Sequence, residues 1–173
     1  MCPGERVTMR GIALTFALAL ISGVAHGQEI QRIVITEFGT YDSTPTNNTT
    51  SAPGTAAGVV TARTNVTHAK TTTTVPASVG PHFGFRYQII GQANSAMVNL
   101  KRIILIPQPG IRNPATGNTT VRDEYDYKRR IGDTGFAAYK LDENWEVVPG
   151  TWTIEIWDGN RKLASKSFNL VKP

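Results

Sequence analysis

Tyr125, Tyr127 and Arg129 fall at every second position of TTVRDEYDYKRR, Thr119 to Arg130, so an extended chain places both phenol rings and the guanidinium on one face. Flat rings beside a planar cation make a stacking surface for sugars or nucleobases, and Trp157 or Trp145 would enlarge it if the fold brought either near. The plainer account is that tyrosine is a good strand former and needs no ligand to explain it. Tyr125, Tyr127, Arg129 and Trp157 are therefore the candidate ligand surface, carried beside a purely structural reading.

Other reactive residue types are sparse. His68 and His82 lie beyond the N-terminal segment and match no metal motif, since a zinc site needs three or four ligands at matched spacing; both are expected to be exposed and without a special role. Asp123, Glu124 and Asp126 lack a glycine-punctuated loop of oxygen ligands, and Lys128, Arg129 and Arg130 follow at once, so a solvated strand of mixed charge is expected rather than a calcium site. No Gly-x-Ser-x-Gly, phosphate-cradling glycine loop or His-Glu-x-x-His occurs. A carboxylate pair for glycoside hydrolysis is a matter of spatial separation, which nothing in the sequence suggests. The expectation is a protein that is not an enzyme and has no catalytic residues, cofactor or metal.

The N-terminus speaks to location. Arg6 and Arg10 precede the apolar run Gly11 to Ala25, and Ala25-His26-Gly27 supplies small residues at the positions that precede a cleavage site. Residues 1–27 thus read as a secretory signal peptide, and the run is too short for the roughly 20 residues of a spanning helix. Cleavage would release Gln28 to Pro173 into the periplasm or the medium, with no stable membrane span. Cys2 is the only cysteine and precedes the apolar run, so the mature chain would hold no disulfide, no thiolate site and no lipid anchor. A single domain of this length buries enough surface to fold without one. From Gln28 onward, 16 Lys and Arg face 12 Asp and Glu, a modest excess that is spread along the chain and is no nucleic-acid signature.

The elements that must position these residues are strands throughout. Gln31 to Tyr41 is rich in β-branched and aromatic residues. Asp42 to Pro76 then holds twelve threonines; within it, about 42–57 is expected to be a flexible connection, with Thr44 to Ala57 reading as loop. Val59 to Thr67 reads as a half-exposed edge strand, and the run Thr71 to Thr74 as a strand or its connection, with an O-glycosylated spacer as the alternative. The Asn-x-Thr sequons at Asn47, Asn48, Asn65 and Asn118 are given no function. Phe83, Phe85, Tyr87 and Ile89 recur at a period of two; Val98, Leu100, Ile104 and Ile106 do so less strictly, and Ile103 to Ile106 suggests burial on both faces. Thr119 to Arg130 reads as an exposed strand and Phe136 to Leu141 as another.

The closing unit is a hairpin. Thr151 to Trp157 leads into Asp158-Gly159-Asn160, whose residues tolerate positive φ, and Lys162 to Val171 returns. Trp152, Ile154 and Ile156 share one face and Trp157 the other, so Trp152 is assigned to the core against Phe168. Seven or eight strands separated by turn residues predict an all-β fold, an immunoglobulin-like antiparallel β-sandwich spanning 28–173 as a single domain, with a small β-barrel as the alternative. Neither the cysteine pair nor the tyrosine corner of antibody domains is present.

The motifs Glu37-Phe38-Gly39-x-Tyr41, Val75-Pro76-Ala77-x-x-Gly80-x-x-Phe83-Gly84-Phe85-x-Tyr87 and Val148-Pro149-Gly150-Thr151-Trp152, with Phe168, resemble a bacterial domain-of-unknown-function family, number 3859. The resemblance covers most of the mature chain. It implies an exported bacterial protein with an immunoglobulin-like fold and carries over no activity. The leading expectation is an exported, non-enzymatic module that binds another envelope protein through a sheet edge or loops. A carbohydrate or small-ligand module built on exposed aromatics is the first alternative, and an enzyme whose groups converge only in space is the second.

Overall fold

The computed structural model describes Met1 and residues 29–173, so the expected signal peptide lies outside the described residues apart from its first methionine. The chain forms β1 (Glu29–Ser51), β2 (Val59–Lys70), β3 (Thr74–Pro76), β4 (His82–Gln92), β5 (Met97–Leu105), β6 (Ile111–Arg112), β7 (Thr119–Thr120), β8 (Arg122–Arg130), β9 (Thr134–Lys140), β10 (Gly150–Asp158) and β11 (Arg161–Val171). A 3-10 turn at Asn144–Glu146 precedes β10. The strands β3, β6 and β7 have two or three residues each, which leaves eight longer ones.

Two sheets face each other, one ordered β2-β1-β4-β9 and the other β3-β11-β10-β5-β8, while β6 and β7 form a small separate ribbon. All pairings are antiparallel except that of β3 with β11. Both sheets are open, with edge strands at each side. The fold is therefore an all-β immunoglobulin-like sandwich, and the small closed barrel is set aside.

Alternation along the strands builds the core. Phe83, Phe85, Tyr87 and Ile89 of β4 are fully buried, and Trp152, Ile154 and Ile156 of β10 meet them from the other sheet. Trp152 stands opposite Phe168 on β11, crosses the Phe83 ring edge-on at 5.8 Å, and donates its indole N–H to the Val148 carbonyl at 2.8 Å. Its polar atom is satisfied, so the whole side chain is buried without penalty. Ile103 and Ile104 are both buried on opposite faces of β5, as the apolar run implied. The closing hairpin turns through Gly159-Asn160 with Asp158 opposite Arg161, and Gly159 holds φ +54°.

The Thr-rich segment departs from expectation. Thr44 to Ser51 is not a flexible loop: it continues β1 and pairs with β2 as far as Ser51 opposite Val59, and only residues 52–58 turn. Threonine suits a pleated surface with one wet face. Pro45 is accommodated because β4 begins opposite Tyr41, leaving one side of β1 without a strand partner beyond that point. Two polar residues also depart from expectation. His82 is buried, not exposed, and Asp123 is 2% exposed, not solvated.

Candidate functional site

The long hairpin of β1 and β2 makes the site. After leaving β4 it reaches across to the second sheet, where Glu124 N donates to the Gly54 carbonyl (2.8 Å) and Ala56 N to Asp123 Oδ2 (2.9 Å). Asn113 adds a bond from Nδ2 to the Ala56 carbonyl at 2.9 Å, and Arg63 on β2 pairs with Asp142. The arm thereby encloses a cleft of about 410 Å³. Three of the four sheet-edge strands border it: β2 through residues 59–63 and Val66, β9 through residues 136–140, and β8 through Asp123, Tyr125, Tyr127 and Arg129.

The register of β8 against β5 sets the wall. Asp123 stands opposite Ile104, Tyr125 opposite Arg102 and Tyr127 opposite Leu100, so these β8 side chains share the inward face with Arg129. The two tyrosine rings stack nearly parallel, 6.0 Å apart with 6° between planes. Arg102 lies 5.7 Å from the Tyr125 ring and holds Asp123 at 3.0 Å, while Arg129 lies 5.2 Å from the Tyr127 ring. Tyr127 also exchanges a 2.9 Å hydroxyl contact with Tyr87 of the facing sheet, and burial pushes its phenol well above the usual range, so it stays neutral. Gly135 makes this contact possible, because a methyl group there would collide with the Tyr87 ring.

The floor of the cleft is backbone. β9 pairs only with β4, and Arg102 Nη1 reaches the Ala138 carbonyl from the cleft side at 3.4 Å. In an antiparallel strand the N–H and C=O of one residue point the same way and alternate between residues. Phe136, Ala138 and Lys140 therefore direct their main-chain groups away from β4, into the cleft.

Two polar clusters adjoin it. Ser43 Oγ lies 2.9 Å from Nδ1 of His82, the spacing of a nucleophile and its base. Burial, then the charges of Arg63 and Lys140, lower the His82 pKa to about 3. Such an imidazole is a weak base at neutral pH, and a triad needs a carboxylate where this ring meets cations. Glu146 accepts bonds from Tyr139 Oη (2.8 Å), Asp142 N (2.7 Å) and Glu143 N (2.8 Å), and burial raises its pKa against the pull of those donors. It closes the 3-10 turn as a capping box.

The remaining sequence candidates separate. Trp157 stands opposite Lys101, which stands opposite Asp126, so it lies on the outer face of the sheet, away from Tyr125 and Tyr127. There it donates to Glu155 Oε2 at 2.8 Å and lies beneath Lys162. Trp145 packs against the core from the 3-10 turn, and His68 contacts Glu37 and the Phe38 carbonyl. Among the described residues, no group of three or more His, Cys, Asp and Glu side chains is placed to hold a metal ion.

A family model, the domain of unknown function DUF3859, matches residues 30–170. The chain belongs to the DUF3859 family. An immunoglobulin-like protein from Pseudomonas aeruginosa is similar in structure to this DUF3859 domain, with 25% identity, a TM-score of 0.53, and coverage of 86% of this chain and 100% of that one. The alkylpurine DNA glycosylase AlkC of Pseudomonas fluorescens, bound to DNA containing an abasic site analogue, aligns at a TM-score of 0.34 with 13% identity over 58% of this chain and 28% of that one, too loosely to bear on the argument. No curated protein matches the chain.

Within the DUF3859 domain, sequence reasoning found Tyr125, Tyr127 and Arg129 by their period of two but missed Arg102, Arg63 and the β9 edge. Arg102 shares the parity of Val98, Leu100 and Ile104 in VNLKRIILI, and a charge at a position of the apolar face was the available signal.

Proposed function

We propose that this protein is an exported, non-enzymatic binding domain that takes an extended segment of another envelope polypeptide along the cleft-facing edge of β9. The observation that carries the reading is that the terminal strand β9 lines the cleft over residues 136–140, with two other edge strands beside it. Unpaired main-chain groups on a sheet edge are a template for one more strand, and pockets beside them select side chains. Export follows from the expected signal peptide.

Peptide display tests it. Random heptapeptides enriched on the wild-type protein should lose at least about tenfold in affinity on Ala138→Pro, which removes one cleft-facing N–H from an edge strand that tolerates proline. Unchanged thermal stability of that variant would locate the loss in binding. Equal binding by both proteins would refute strand addition. The stacked Tyr125 and Tyr127 favour one second reading, a carbohydrate or small-ligand module, and the cleft volume falls in the range of such sites. Saturation of the cleft by neutral oligosaccharides, with loss on Tyr125→Ala and no peptide binding, would favour it.

A further inference from the structure

The charges around the cleft are unequally committed. Its three carboxylates are taken: Asp123 by Arg102 and the Ala56 amide, Asp142 by Arg63, and Glu146 by Tyr139 and two amides. Of its four cations, Arg63 and Arg102 are taken in the same pairs, and Arg129 and Lys140 are not. Arg129 donates to the neighbouring Lys128 carbonyl and Lys140 to the Gly80 carbonyl, and neither meets a carboxylate at salt-bridge distance among the described residues. Once the ion pairs are set aside, the lining keeps two cations, Arg129 and Lys140, against one carboxylate, Glu146, which is already saturated by the Tyr139 hydroxyl and two amides.

We infer that the segment bound in the cleft is an acidic peptide, with a carboxylate side chain meeting Arg129 beside the Tyr127 ring. The inference rests on the strand-addition reading, since the β9 edge is what favours a peptide over an anionic polysaccharide. The Arg129 guanidinium, 5.2 Å from the Tyr127 ring, has N–H groups beyond the one given to the Lys128 carbonyl, and a bond from such a cation to a carboxylate is of the stronger, charge-assisted kind. Lys140, at the C-terminal end of β9, offers a second anion contact in the same cleft.

Fluorescence anisotropy with labelled octapeptides tests the inference: alternating Thr-Glu against alternating Thr-Gln, with a sulfated heparin hexasaccharide as a third probe. The acidic peptide should bind about tenfold tighter than its amide counterpart, the size expected of one charge-assisted hydrogen bond. Arg129→Gln should erase most of that difference, and a melting temperature equal to that of the wild type would locate the loss in binding. Equal affinity for both peptides, lost in Ala138→Pro, would overturn the acidic preference and leave strand addition standing. Absence of binding by either peptide at millimolar concentration would overturn both readings. Tight binding of the hexasaccharide alone would overturn the inference in favour of an anionic polysaccharide.

Discussion

A buried imidazole flanked by Arg63 and Lys140 refuses a proton that the unfolded chain accepts. His82 titrates near pH 3 in the folded state and near its ordinary value of about 6.5 when unfolded. Between those values the unfolded state binds more protons, so the contribution of His82 to stability is complete above pH 6.5 and is lost as pH falls toward 3. Urea denaturation should show the wild type losing roughly 2–3 kcal/mol more than His82→Gln between pH 7 and pH 4.5. Parallel losses would mean that the ring is hydrated. The two hairpin tryptophans give the other residue-scale test. Trp152→Ala should cost about 3–5 kcal/mol, as a large core truncation does, whereas Trp157→Ala should cost less than about 1.5 kcal/mol because it only uncovers Glu155. Parity made this contrast readable in the sequence, since Trp152 alternates with Ile154 and Ile156. The burial of His82 and Asp123 was not readable, because their partners Ser43 and Ala56 lie 39 and 67 residues away along the chain.

The hairpin of β1 and β2 is the element on which the cleft depends. A two-stranded ribbon is marginal in water unless something holds it. Its tip is held by Asp123, which carries both the Ala56 amide and Arg102. Asp123→Ala should cost about 3–5 kcal/mol, because it leaves a largely buried guanidinium without its partner. It should also speed hydrogen exchange at the Ala56 amide well beyond what the global loss accounts for. Asn113→Ala, which removes only a bond to the Ala56 carbonyl, should loosen the tip and leave Arg102 paired. Equal protection of Ala56 in all three proteins would show that the arm is held elsewhere. Strand composition identified β2 as an edge and the β10–β11 hairpin by its turn chemistry. It failed at Thr44 to Ser51 because threonine and asparagine serve loops and exposed strands alike, and pairing with β2 decides between them.

At the scale of the molecule, an open sandwich must manage four sheet edges, and this one gathers three of them around a single cleft. That convergence was beyond the sequence: an alternating pattern gives the faces of each strand but not which strand ends a sheet. It also separates the expected ligand surface, leaving Tyr125, Tyr127 and Arg129 in the cleft and Trp157 outside it. The central claim is that an added strand pairs with β9. Hydrogen–deuterium exchange read residue by residue, with and without the alternating Thr-Glu octapeptide, tests it most directly. Bound peptide should protect the amides of Phe136, Ala138 and Lys140, which face the cleft, and leave those of Ala137 and Tyr139, already paired to β4, unchanged. Binding without protection at those three amides would contradict strand addition.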